Sequence, residues 1–354
     1  MSSPLYIKAA TAISPQHSFD AAQILQPVVS SDNGQLYAID ADYRQYINPV
    51  AIRRMSRMLK MSISAAMKCL QDAGVTIPDA VITGTGRGSM TDMELFVKDM
   101  IRLQEEALNP TQFIQSTYNA PNGWIALQTK GTGYNQTYVH RGISLELALT
   151  DAQMLAAEGA HENILVGCFD ELTPEYVTIK NKLGYWKQEM PNSLALLQHA
   201  DTPGTIGGEG AAFFALSRND ENAICAIQAI QTLSQPSPEA VRQMMQVMLA
   251  AEGLQLSDID VLVCGMSGDA RFQPLYNDLL QQAGDATTIA AFKHLCGEYD
   301  TSSGFALWLT AQIIASQHVP EITVVKKGAN TAVNRVLILN HYILSSASAI
   351  LVTK

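Results

Sequence analysis

The sequence predicts an α/β fold built from two similar halves, in which helices are buried between sheets. Short apolar segments alternate along the chain with amphipathic helices, and glycines and prolines separate them. Two helices, at residues 143–158 and 301–317, consist almost wholly of apolar or small residues. A helix of this composition is buried on both sides, so each half is expected to contribute one central helix. The division predicted from this repetition places the first half at residues 1–218 and the second at residues 219–354.

The first half is predicted to alternate strands and helices in the order that an α/β unit requires. The segment AVITGTG indicates a buried strand that ends in a glycine-rich loop. A helix follows, because Met93, Phe96 and Met100 are spaced to share one face. In chain order, the expected elements are a strand at 80–86, a helix at 92–108, the buried helix at 143–158 and a strand with its turn at 162–172.

The second half repeats the same pattern. The segment DIDVLVCGMSGD indicates a strand that ends in a cysteine-glycine turn, and two further apolar segments close the chain as strands. In chain order, the expected elements are strands at 258–269 and 288–292, the second buried helix at 301–317, and closing strands at 322–327 and 335–353.

The composition of the chain limits the kinds of molecule that it can bind and the cellular compartment that suits it. The chain has 354 residues, of which 47% are hydrophobic and 16% charged, with a net charge of −10. An acidic balance of this size argues against nucleic acid or an anionic membrane as the main partner. We expect no signal peptide and no membrane span, because neither a basic segment before an apolar one nor an uncharged apolar run of about 18 residues occurs. The five cysteines are widely spaced, which predicts free thiols in a reducing cytoplasm.

The segment YNQTYVHRGISLELALTDA, at residues 134–152, places a turn directly before the first buried helix. The N-terminus of a helix stabilises an anion, so enzymes often hold a nucleophile there. Here the residue at the turn is Gly142. A glycine required by a tight turn is the alternative explanation.

Six motifs, in order, resemble the β-ketoacyl synthases of the thiolase fold, and the resemblance covers nearly the whole chain. It implies an α/β protein with duplicated halves in a layered αβαβα arrangement. The motifs are RRMSRMLKMSISAAMKCLQDAGV (53–75), TGTGRGSMTD (83–92), QSTYNAPNGWIAL (115–127), GCFDELTPE (167–175), IGGEGAAFFALSR (206–218) and FKHLCGEYDTSSG (292–304).

The resemblance also implies where the chemistry of this family would lie. A condensing enzyme of the family uses a cysteine that carries the acyl chain and two histidines that promote decarboxylation and stabilise the enolate. In this sequence the cysteine position falls on Gly142, and the two histidine positions fall on Cys264 and Glu298. The family lysine is kept as Lys293, and the closing segment NHYILSSAS keeps Asn340 but lacks the family's glycines. The resemblance therefore implies a chain that does not condense and whose nucleophile position is empty.

Alternatives remain for these positions. Cys264 is a candidate substitute nucleophile with Glu298 as its base, whereas a buried structural cysteine is the simpler interpretation. Lys293 and Glu298 are expected to form an ion pair in the space that the histidines left. No cofactor or metal is expected, because GTGRG is wrongly spaced for a dinucleotide loop and no zinc motif occurs.

The pattern resembles the chain length factors, silent subunits that pair with an active ketosynthase. It implies a heterodimer that shapes the partner's acyl tunnel in fatty acid, polyketide or polyene synthesis, with acyl carrier protein docking mainly on the active subunit. A divergent acyl-transfer enzyme and a homodimeric acyl-binding protein are the alternatives.

One basic helical face is expected, formed by Arg53, Arg54, Arg57 and Lys60. The tunnel or interface candidates are Gln115, Tyr118, Asn119, Trp124, Tyr138 and His140.

Overall fold

Strands and helices alternate throughout the computed structural model, which describes residues 4–20, 23–189, 192–343 and 345–354. The strands are β1 Leu5–Ile13, β2 Gln35–Leu36, β3 Ala80–Gly84, β4 Tyr134–Tyr138, β5 Ile164–Asp170, β6 Gly207–Gly208, β7 Gly210–Ser217, β8 Cys225–Ser234, β9 Val261–Cys264, β10 Thr288–Ala291, β11 Val324–Lys326, β12 Arg335–Tyr342 and β13 Ser346–Thr353. The helices are α1 Pro49–Ile52, α2 Arg57–Asp72, α3 Met90–Arg102, α4 Pro110–Gln115, α5 Ala120–Thr129, α6 Ser144–Glu158, α7 Pro174–Lys182, α8 Pro238–Ala251, α9 Pro274–Gln282, α10 Lys293–Cys296 and α11 Ser303–Ser316.

The strand order repeats between the two halves. Among the described residues, one sheet runs in the order β11-β10-β9-β12-β13-β8-β1-β7-β5-β3-β4. Counted outward from the centre, the first half runs β1, β7, β5, β3, β4 and the second half runs β8, β13, β12, β9, β10. Strands at the same place in the two lists also come in the same order along the chain. In the first half β3 pairs in parallel with β4 and β5, and in the second half β9 pairs in parallel with β10 and β12. The strands β1 and β8 pair with each other in antiparallel fashion. The predicted duplication of the α/β unit is therefore confirmed.

Two central helices separate the halves, as the sequence predicted. Helix α6 contacts β3, β4 and β5 of the first half and β8 of the second, and α11 contacts strands of both halves. Helices α2 and α5 cover the outer face of the first half, and α8 and α9 cover the outer face of the second. This is the layered αβαβα arrangement of a thiolase-like fold. The proposed boundary after residue 218 lies between β7 and β8.

Local sequence explains how the helices begin. Helices α7 and α8 each have proline at the first position, preceded by Thr173 or Ser237, whose hydroxyl accepts from a backbone N–H of the first turn. Both features satisfy or remove N–H groups that have no partner within the helix. The buried helix predicted at 143–158 is confirmed, with α6 starting one residue later.

The predicted end of one helix in the first half is wrong. Helix α3 ends at Arg102 and not at residue 108, because the chain turns there through left-handed residues that include Gln104 and Glu105. Met93, Phe96 and Met100 all lie on this helix, and Met93 is 40% exposed.

The expected basic helical face is also absent from α2. Arg53 and Arg54 precede the helix, which starts at Arg57. Arg57 is not free for a partner, because its Nε lies 2.8 Å from Asp40 Oδ1 and its Nη1 contacts buried Glu209.

The expectations for the cysteines and for a membrane span can also be compared with the structure. All five cysteines are free and buried. Within the described ranges, no helix has both the length and the apolar character that a membrane span needs.

Candidate functional site

The nucleophile position lies in a short 3₁₀ turn, Arg141–Ile143, between β4 and the N-terminus of α6. Ser144 fixes this turn, because its hydroxyl accepts from the His140 N–H at 2.8 Å and donates to the Thr85 carbonyl at 2.9 Å. Arg141 has a left-handed φ of 52°. The turn and the helix N-terminus that would serve a nucleophile are therefore both present.

The space that a side chain at Gly142 would need is occupied by another residue. A Cβ atom added to buried Gly142 would lie 2.6 Å from Tyr342 Cγ and 2.9 Å from Ser346 Oγ, with Tyr342 Cβ nearer still. Such contacts are far inside normal van der Waals distances. No side chain at residue 142, a cysteine included, fits while Tyr342 keeps its place.

The hydroxyl of Tyr342 lies within hydrogen-bond distance of two cationic side chains. Lys180 Nζ lies 3.3 Å and Arg87 Nη2 lies 3.4 Å from it. Arg87 also forms an ion pair with buried Asp300, with 3.1 Å between Nε and Oδ2. Burial, with a contribution from the neighbouring Arg87 charge, lowers the pKa of Lys180 to about 8.

Cys264, the second family position, is the last residue of β9 and is fully buried. Its backbone lies between Ala291 of β10 and Leu339 of β12. The side chain belongs to the outer core beneath α8 and α9, not to the central core around α6. Burial raises the pKa of the thiol to about 12, so the nucleophilic thiolate is strongly disfavoured.

Glu298, the third position, forms the predicted ion pair with Lys293. Lys293 Nζ donates to Glu298 Oε2 at 2.7 Å and to the His341 carbonyl at 2.5 Å, and both side chains are buried. Burial raises the pKa of Glu298, and the Lys293 charge opposes that rise. In the described part of the chain, Glu298 Oε1 has no hydrogen-bond partner. A carboxylate paired in this way does not stabilise an enolate, which carries the same charge.

The retained family asparagine and the question of a metal site remain to be described. The retained Asn340 is buried, and neither polar atom of its amide has a partner within the described residues. Among those residues, no group of three or more His, Cys, Asp or Glu side chains is arranged to hold a metal ion.

The six tunnel or interface candidates do not converge on one cavity. Gln115 is buried, with its amide donating to the Arg54 carbonyl at 2.6 Å, whereas Tyr118 is half exposed. Trp124 packs against the outer core of the first half, and Tyr138 packs against the central core. The remaining two candidates, Asn119 and His140, are exposed.

An exposed apolar surface surrounds several of these candidates. Strand β4 ends the sheet order, so one of its edges has no strand beside it among the described residues. Next to it, α5 exposes Leu127 by 72% and has Gly123 at a position where an added Cβ would meet nothing within 4 Å. Helices α3 and α4 expose further large apolar side chains: Met93, Leu95, Val97, Ile101, Phe113 and Ile114.

Sequence reasoning missed Arg87, Lys180 and Tyr342. Arg87 stands in the GTGRG segment, where the spacing argument addressed only dinucleotide binding. Lys180 lies in α7, a short helix of mixed polar and apolar residues in which nothing marks the lysine as buried. No local signal marks Tyr342, because its contacts with Gly142 and Lys180 are between residues far apart in sequence.

The duplicated sheet, the two central helices and the nucleophile turn before α6 define a protein of the ketosynthase class within the thiolase fold. The sequence profile of the family "Beta-ketoacyl synthase, N-terminal domain" matches residues 30–246, which is more than half of the chain. The chain therefore belongs to the β-ketoacyl synthase family. No curated protein sequence matches it.

Solved structures agree with this fold. The ishigamide ketosynthase/chain length factor has a TM-score of 0.78 and 14% identity, with 100% of both chains covered. A type II polyketide synthase acyl-carrier protein in complex with its ketosynthase, AntDE:AntF, contains a chain with a TM-score of 0.76 and 16% identity, with 99% of both chains covered. A β-ketoacyl synthase from Burkholderia phymatum STM815 has a TM-score of 0.74 and 15% identity, with 99% of both chains covered. At these identities the similarity establishes the fold.

Proposed function

We propose that this chain is a catalytically silent subunit, similar to a chain length factor, that pairs with an active β-ketoacyl synthase. In the pair, it would shape the acyl tunnel of the partner and so limit chain length in fatty acid, polyketide or polyene synthesis. The free, buried cysteines support a reducing compartment, for which we propose the cytoplasm.

The observation that carries this proposal is that none of the three positions assigned by the family resemblance holds a group suited to condensation. Gly142 has no side chain, and Tyr342 leaves no space for one. Cys264 is a buried thiol in the outer core, and Glu298 is neutralised by Lys293. Three separate losses on an intact fold favour a retained structural role over a damaged enzyme.

The exposed surface around β4 and α5 supports the heterodimer. A sheet edge without a neighbouring strand is a common site of pairing with another chain. Leu127, together with the apolar side chains of α3 and α4, adds the kind of surface that marks a protein interface. Gly123 permits a partner to approach the α5 backbone closely.

We propose that acyl carrier protein docks mainly on the active subunit. The net charge of −10 disfavours an acidic carrier on this chain, and Arg57 is already paired with Asp40 and Glu209. The structural similarity to a ketosynthase in complex with its carrier protein supports a carrier in the same assembly.

Catalytic silence is tested by the intact mass of the purified chain after incubation with acyl-CoA and with acyl carrier protein. The expected result is no covalent acyl adduct. An adduct that disappears in Cys264→Ser would contradict the silent role and favour the divergent enzyme. A purified active β-ketoacyl synthase, treated in parallel, provides the positive control.

A further inference from the structure

Tyr342 overlaps the place that any side chain at residue 142 would need. It is the last residue of β12, and its backbone pairs with Ser346 at the start of β13. The residue is buried, and its Cβ and Cγ both lie inside contact distance of a Cβ on Gly142. The overlap begins at the backbone end of the tyrosine, so rotation of the ring does not relieve it.

Two cationic side chains lie beside the hydroxyl, at the other end of the tyrosine. Lys180 Nζ and Arg87 Nη2 both lie within hydrogen-bond distance of the hydroxyl. The Lys180 ammonium lies 4.0 Å from the centroid of the Tyr185 ring and 5.3 Å from that of Tyr176, so tyrosine rings surround it.

Lys180 is unusual because it is a buried cation on which the charges of Asp300 and Glu298 act only from beyond ion-pair distance. The residue is 6% exposed, and no Asp or Glu in the described part of the chain lies within ion-pair distance of its Nζ. Burying an unpaired charge is costly, so a cation kept in this place needs the ring and hydroxyl contacts. Those contacts include Tyr342, which links the lysine to the filled nucleophile position.

We propose that Tyr342 is a permanent plug at the nucleophile position: the β12 backbone fixes its Cβ there, and Arg87 and Lys180 hold its ring through the hydroxyl. The significance of the plug rests on the proposed function, because it gives the silent subunit a second cause of silence beside the missing side chain. A cysteine returned to residue 142 would therefore not restore acylation. The acyl chain of the complex would lie in the partner alone.

A double-mutant cycle tests the plug through thermal unfolding of the isolated chain. Gly142→Ala alone is expected to lower the melting temperature by roughly 5 °C, because the added methyl overlaps Tyr342. In the Tyr342→Gly background the same change should cost less than about 1 °C. Equal costs in both backgrounds would overturn the plug. Gly123→Ala is the matched control and should not lower the melting temperature, since an added Cβ meets nothing there.

A second measurement tests the two cations. Tyr342→Gly should leave a hole shaped like the missing side chain, so p-cresol should raise its melting temperature more than toluene does. Adding Lys180→Met should remove that advantage. Equal effects of p-cresol and toluene before the lysine is changed would overturn the proposed hold on the hydroxyl.

One variant keeps the test decisive if Tyr342→Gly does not fold. Tyr342→Phe retains the overlapping atoms, so Gly142→Ala must still cost the full drop in that background, and a smaller drop would overturn the plug. All of these measurements use the isolated chain. Failure of the plug would therefore be distinct from failure to pair with a synthase.

Discussion

At the scale of single residues, Glu146 places a carboxylate in the first turn of the central helix α6. It is fully buried, and Ser348 Oγ donates to its Oε1 at 2.6 Å. Its other oxygen, Oε2, has no partner within the described residues. Burial raises the pKa of Glu146, and the Ser348 hydrogen bond opposes that rise only in part.

Glu146→Gln should therefore stabilise the chain, increasingly so as the pH rises. The folded wild type binds this proton more tightly than the unfolded chain. Its contribution is full below the ordinary glutamate pKa and is lost as the pH rises through the raised value. Glutamine keeps an oxygen for Ser348 and never ionises. The expected gain above that window is about 1.4 kcal/mol for each unit of pKa elevation.

The measurement is urea unfolding of both proteins at about pH 5 and about pH 8. Glu158→Gln, at the exposed end of the same helix, is the control and should change stability little at either pH. A gain for Glu146→Gln that does not grow with pH would show that folding does not raise the pKa of this carboxyl group.

At the scale of elements, β4 and α5 form the surface that we propose for pairing. Leu127 projects from α5 beside Gly123, and it contributes little to the core of the isolated chain. A charge at this position would be left buried and unpaired in a complex, which costs far more than the same charge in water.

Leu127→Glu is accordingly expected to weaken pairing with an active synthase by at least 10-fold while changing the melting temperature of the isolated chain little. Val247→Glu is the matched control, because Val247 is 61% exposed on α8 of the other outer layer. Affinity is measured by surface plasmon resonance with the synthase immobilised. An equal loss in both variants, or none in Leu127→Glu, would remove α5 from the interface.

At the scale of the whole molecule, the fold could be predicted from sequence because its signals are local and repeated. The small-residue helices α6 and α11 identify the central layer by composition alone. The order of six motifs then indicated which turn corresponds to Gly142 and which loop holds the Lys293 and Glu298 pair. Only element ends, such as that of α3, departed from the pattern, because left-handed turn residues carry no strong signal outside glycine.

The filling of the nucleophile position could not be predicted in this way. It arises where β12, α7 and the loop after β3 bring Tyr342, Lys180 and Arg87 together. These residues are separated by about a hundred positions or more, and each has an ordinary role in its own segment. A motif comparison reveals that a cysteine is missing, whereas only the packed structure shows what occupies its place.

Pairing with an active enzyme is the central claim, and native mass spectrometry of a co-expressed pair tests it most directly. This chain, without a tag, is expressed together with a tagged active β-ketoacyl synthase from the same organism, and the intact mass of the affinity-purified material is measured. Heterodimer formation predicts a one-to-one complex of the two chains. It would be contradicted if the synthase were recovered alone or as its own dimer, with this chain folded but absent from the complex.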